Sequence, residues 1–150
     1  MAAAFHFLSR SPFSRAECGR IVEAISQAEQ TTSGEIRVHV QRGCGADPCR
    51  DAIGAFNRLG MARTAARNGV LIFVAWRNRS FAIIGDTGIH EKIGPASWDA
   101  AIAAMTPFFA SGNLVAGVLA GVHAAGEALQ RHFPRQTNDI NELANTISKI

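Results

Sequence analysis

The chain has 150 residues, the usual size of a single domain, and a length at which roughly two thirds of the unfolded surface is buried on folding. Its 47% apolar and 18% charged residues are those of a globular protein and exclude a disordered chain. Fifteen basic and twelve acidic residues are interspersed, for a net charge of +3, so no basic stripe marks the chain as a nucleic-acid binder. Arg42, Arg50, Arg58, Arg63, Arg67, Arg77 and Arg79 do cluster, but without the interleaved aromatics that stack bases.

The first residues, MAAAFHFLSRSPFSR, lack the apolar run and cleavage site of a signal peptide, because His6 and Arg10 interrupt them. No stretch approaches the roughly 20 apolar residues that span a bilayer. Cys18, Cys44 and Cys49 are an odd number of thiols with no zinc-like spacing. Together these features predict reduced cysteines, a cytoplasmic location and no membrane anchor. Residues 1–14 are expected to be a flexible segment and 15–150 the folded domain.

Ser14 and Glu17 form a capping box ahead of Cys18, Ile21, Val22, Ile25 and Ala28, which predicts a helix over 15–30. Thr31 to Gly34 break it. Ile36, Val38 and Val40 then alternate with Glu35, Arg37, His39 and Gln41, which reads as a strand whose second face is the wetter one. Asp47 and Pro48 open a second helix with an apolar face of Ala52, Ile53, Phe56 and Leu59, closed by Gly60. The continuous apolar run Val70 to Trp76 predicts a strand covered on both faces, and Arg77 to Ser80 a hairpin into Phe81 to Ile84.

A short helical turn is expected over Ile89 to Ile93, then a helix from about Ser97 with Trp98, Ile102, Met105 and Phe109 buried. Phe108 and Phe133 are also read as core. A long helix follows from Leu114 to Phe133, and Pro134 stops it. Its small residues Ala116, Gly117, Ala120, Gly121, Ala124 and Ala125 permit close approach to the sheet or to another subunit. The tail carrying Ile140, Leu143 and Ile147 forms a last short helix capped at Asn138 or Asp139, or lies loosely on the domain. A crossover helix makes the first two strands parallel, and the hairpin makes the third antiparallel.

The segments TSGEIRVHV at 32 to 40, RNGVLIFVA at 67 to 75 and FAIIGDTGI at 81 to 89, with WD at 98, FF.SG and GE.L..HFP further on, resemble the TPM-domain family. The resemblance extends from about residue 17 to 134, with its parts in the expected order. It implies a three-layer α/β/α sandwich around a small mixed sheet. Members of that family differ in role: some bind calcium, some are described as acid phosphatases, and others act in photosystem repair or on membrane receptors. Many bacterial members look exported, whereas this chain looks like a stand-alone soluble branch.

Strand direction points to a site. The third strand should return Asp86 to the edge where Ser33, Gly34 and Glu35 begin the first strand and where Arg67 and Asn68 enter the second. Glu35, Asp86, Glu91 and Asp99 are the candidate oxygen ligands for calcium or magnesium, with Ser33, Arg67 and Asn68 as ligand-binding neighbours. The same residues also have an ordinary reading: Glu35 as a solvated strand residue, Asp86 as a helix cap and Glu91 as helix surface.

The function expected is a divalent-cation-binding module that regulates or docks a protein partner or small ligand. The alternative is a metal-dependent hydrolase of phosphate monoesters, with Arg67 holding the phosphate. The loop of Gly43, Cys44 and Gly45 matches neither a P-loop nor a dinucleotide fingerprint and reads as a tight turn. His39, His123 and His132 read as structural histidines.

Overall fold

A computed structural model of the chain describes residues 11–135, 143 and 147–149. Helix α1 (Arg15–Glu29) starts on the predicted capping box: the Ser14 hydroxyl accepts from Glu17 N at 3.1 Å, and Ser14 N donates to the Glu17 carboxylate at 3.0 Å. β1 (Glu35–Gln41) follows, then α2 (Pro48–Arg58), whose first turn is closed by the Asp47 side chain accepting from Cys49 N. Gly60, at φ +67°, ends this unit and a 3-10 turn over Met61–Arg63 leads on. β2 (Gly69–Ala75) and β3 (Ser80–Gly85) are joined through a turn at Trp76–Asn78.

The remaining helices are α3 (Thr87–Ile93), α4 (Asp99–Ala110) and α5 (Leu114–His132), and a short strand β4 (Ile147–Lys149) completes the order. The sheet runs β3-β2-β1-β4, with β1 parallel to both β2 and β4 and β2 antiparallel to β3. The directions expected for the first three strands are those observed. The tail is the correction: Ile147 lies in a strand paired with Val38, not in a last helix, while Ile140 lies outside the described residues.

The three expected layers are present. On one face Ile36, Val38, Val40, Val70, Ile72 and Val74 meet α1, α4 and α5 in the larger core. On the other, Leu71, Phe73, Ala75 and Ala82 pack under α2 with Ala52, Ala55, Phe56 and Met61. β2 contributes to both cores and is buried along its whole length, as its unbroken apolar run requires. Phe13, within the segment expected to be flexible, is buried in the larger core; residues 1–10 lie outside the described ones.

Side-chain placement differs from expectation on α2, α4 and β1. Ile53, Ile102 and Phe108 are exposed, because α2 and α4 each turn a narrower stripe to the sheet than their apolar content suggests. Val118, Val122, Ala125 and Leu129 form the buried stripe of α5 together with Gly117, Gly121 and Gly126, so its small residues do permit close approach. The glycines of α5 receive neighbouring helices: a Cβ on Gly117 would lie 2.5 Å from the Phe109 ring and one on Gly121 2.5 Å from the Met105 sulfur. Finally, the second face of β1 is the wetter one only at Arg37 and Gln41, which are half-buried, whereas Glu35 and His39 on the same face are buried. The returning tail reaches both, Leu143 at Glu35 and Ser148 at His39. The three cysteines are free thiols, and among the described residues no helix is long and apolar enough to cross a membrane.

Candidate functional site

The amino ends of β1 and β2 and the carboxyl end of β3 form one edge of the sheet. Glu35 pairs with Gly69, and Val70 pairs with Gly85, so Glu35 and Asp86 stand on opposite flanks of Gly69. Asp86 N donates to Gly69 O at 3.0 Å and Glu35 N to Asn68 O at 3.3 Å. Two strand spacings separate their backbones, roughly 10 Å. Each carboxylate is already engaged. Arg67 Nε and Nη2 reach Asp86 Oδ2 and Oδ1 at 2.7 and 2.9 Å, a two-pronged ion pair. Asp86 Oδ1 also accepts from Thr87 N at 2.7 Å, capping α3 as the ordinary reading has it. The Arg67 guanidinium is held more firmly protonated by that hydrogen bond and by the charge of Asp86, with Glu91 adding a smaller push.

Glu35 is not a solvated residue. It is 3% exposed, and its Oε1 accepts from Leu143 N at 2.7 Å, which ties the tail to the sheet edge. Asn68 is buried beside it; its side chain donates to Ser33 Oγ at 3.4 Å and its backbone N to Thr64 Oγ1 at 3.2 Å. Glu91 is exposed on α3 and Asp99 exposed in the first turn of α4. Among the described residues no group of three or more His, Cys, Asp and Glu is placed to hold a metal ion. In this conformation Asp86 gives its oxygens to Arg67 and Thr87, so a cation there requires Arg67 to move aside.

Sequence reasoning missed Glu29. It ends α1, is 7% exposed, and its Oε2 accepts from Ile36 N at 3.0 Å. Burial, with a smaller contribution from the neighbouring Glu35, raises its carboxyl to about 7 against the opposing Ile36 hydrogen bond and Arg135. The signal was present: Ile21, Ile25 and Glu29 fall one turn apart on the buried stripe.

His39 is the structural histidine expected, but it is buried. Its Nδ1 lies 2.9 Å from Ser148 Oγ and its Nε2 3.1 Å from Gln41 Oε1, with the ring stacked on Phe73. Burial holds its pKa below the ordinary value, and nearby Arg58 and Arg37 act the same way. The Gln41 amide donates to Gly43 O, so its oxygen faces His39, and the neutral ring carries its proton on Nε2. His123 pairs with Glu127 on the surface of α5.

This fold, with both GDTG and TSGE segments at one sheet edge, has known counterparts. A family model described as the TPM domain matches residues 9–128. The chain belongs to the TPM-domain family. Among solved structures it is similar to the BA42 protein of the psychrophilic bacterium Bizionia argentinensis, at 41% identity and TM-score 0.86, over 93% of this chain and 96% of that one. It also resembles the N-terminal domain of cg2496 from Corynebacterium glutamicum, at 19% identity and TM-score 0.65, over 87% and 82% of the two chains. An N-terminal domain from P. gingivalis matches at 21% identity and TM-score 0.66, over 83% and 82%. These last two share the fold alone. No curated protein matches the chain.

Proposed function

We propose that this TPM domain is a divalent-cation-binding module that takes calcium or magnesium at the Glu35–Asp86 edge and uses it in docking a protein partner or small ligand. The reading rests on one relationship: two carboxylates distant in sequence flank Gly69, and a third, Glu29, is buried beside Glu35. A carboxyl pair that keeps a proton near neutrality is a place where a hard cation can replace that proton. Glu91, close enough to influence Arg67, is the outer ligand, and Asp99, exposed in the first turn of α4, is the fourth candidate.

On this reading Arg67 is the resident counter-charge, and the cation competes with it for Asp86. Calorimetric titration with calcium and magnesium tests the idea directly. Saturable binding that is lost in Glu35→Gln and Asp86→Ala and tightened in Arg67→Ala is the expected pattern. Binding absent from the wild-type domain, or unchanged in all three variants, removes it.

A second reading, hydrolysis of phosphate monoesters, is favoured by the Arg67 side chain, which is 47% exposed beside a buried carboxylate. It requires phosphate release that a chelator abolishes and Asp86→Asn lowers.

A further inference from the structure

At the opposite, carboxyl end of β1 lies a cavity of about 680 Å³ whose walls carry Gln41, Arg42, Arg50, Asp51, Gly54 and Arg58. We propose that it binds the phosphate group of a small anion, a phosphomonoester or inorganic phosphate. Three guanidiniums face one carboxylate there. That carboxylate is partly engaged, since Asp51 Oδ2 accepts from Gly45 N at 2.7 Å. Among the described residues Arg42, Arg50 and Arg58 take part in no ion pair. Uncommitted planar guanidiniums on a concave wall suit the tetrahedral oxygens of phosphate, which accept paired N–H donors.

The backbone is shaped for the same purpose. Arg50, Gly54 and Arg58 succeed one another at four-residue steps along α2, so they share one face. A glycine inside a helix is unfavourable, and at position 54 it leaves open the space between the two arginines: a Cβ there would meet only Arg58 Nη1, at 3.6 Å. Gln41 is held at the floor by His39 on one side and Gly43 O on the other. The cavity lies beyond the carboxyl end of β1, and open α/β sheets hold ligands outside the carboxyl ends of their strands. The end of α2 itself is not the donor, because Asp47 occupies Cys49 N.

A nucleic acid would use the same charges, but no aromatic side chain lines the cavity to stack a base. The site is also separate from the cation edge, at the other end of β1 by roughly 20 Å.

The test is an amide NMR titration of the domain in low-chloride buffer with chelator present, using inorganic phosphate, glycerol phosphate and a short single-stranded oligonucleotide as probes. Saturable shifts at the Gly43, Gly45 and Gly54 amides at or below about 1 mM phosphate are expected. Arg50→Gln and Arg58→Gln should each weaken binding about tenfold. Gly54→Leu should abolish it while leaving the melting temperature unchanged or higher, which separates a filled cavity from a damaged fold. Tighter binding of glycerol phosphate than of phosphate identifies an ester as the ligand, and equal binding identifies the free ion. Shifts that do not saturate, that survive the double Arg50→Gln and Arg58→Gln variant, or that the oligonucleotide produces at lower concentration than either phosphate overturn the proposal.

Discussion

Asp86 receives both prongs of the Arg67 guanidinium and, through the same carboxylate, closes the first turn of α3. One side chain, 3% exposed, thus joins the loop before β2 to the helix after β3. Asp86→Ala is expected to lower stability by at least about 1 kcal/mol from the lost cap alone. Because Arg67 and Asp86 act together, the double variant Arg67→Ala with Asp86→Ala should lose less than the two single losses added. Urea unfolding of the four proteins measures this, and strict additivity would contradict the coupling.

Two glycines should behave in opposite ways. Gly88 N donates to Arg67 O at 2.9 Å, and a Cβ at 88 would press on the Ala66 carbonyl and lie 2.6 Å from that of Arg67. Both obstacles are backbone, so Gly88→Ala should cost roughly 2 kcal/mol or more. Gly19, on the exposed side of α1, has nothing within 4 Å of a Cβ. Gly19→Ala should therefore stabilise by about 0.5–1 kcal/mol through helix propensity. Thermal unfolding of the pair checks both signs.

Local signals in the sequence were legible wherever they act over a few residues. The Ser14/Glu17 box, the Asp47–Pro48 start and the buried run from Val70 all read correctly, and they fixed the order and direction of the first three strands. Contacts made by distant chain were not legible. Alternation in β1 tells which residues share a face, but not that Leu143 and Ser148 would return to meet Glu35 and His39. Likewise Ile140, Leu143 and Ile147 have helical spacing, yet Ile147–Lys149 is a strand because β1 offers an open edge. For the candidate site, the shared edge of Glu35 and Asp86 followed from topology, whereas the prior claim of Arg67 on Asp86 depends on side-chain geometry that no spacing encodes.

The buried Glu29 carboxyl predicts a pH dependence opposite to ordinary acid unfolding. Its folded value of about 7 lies above the reference 4.5, so the folded state binds the proton more tightly. Stability from this group is full below pH 4.5 and declines as pH rises through about 7. At about 1.4 kcal/mol per pH unit the ceiling of that loss is roughly 3 kcal/mol. Glu29→Gln keeps an acceptor for Ile36 N without the charge. It should match the wild type at pH 5 and exceed its stability at pH 8, as urea midpoints at the two values would show. A variant weaker at pH 8 would mean that Glu29 is held charged by a partner.

His39 works in the other direction. Its folded pKa is depressed below 6.5, so the unfolded chain takes up the proton more readily and stability falls as pH drops below 6.5. Protonation also turns Nδ1 into a donor, so Ser148 Oγ must accept from it and give its own proton to Val38 O, 3.4 Å away, which changes one contact between β4 and β1. In the wild type this slope is masked, because Glu29 gains stability over the same acid range. The Glu29→Gln background should expose it, with β4 loosening first. Amide exchange at Lys149, monitored against Val74 in the central strand, should then accelerate as the pH is lowered, after correction for the intrinsic pH dependence of exchange. In Glu29→Gln with His39→Gln the corrected protection at Lys149 should no longer respond to pH; a response that persists there would place the sensor elsewhere.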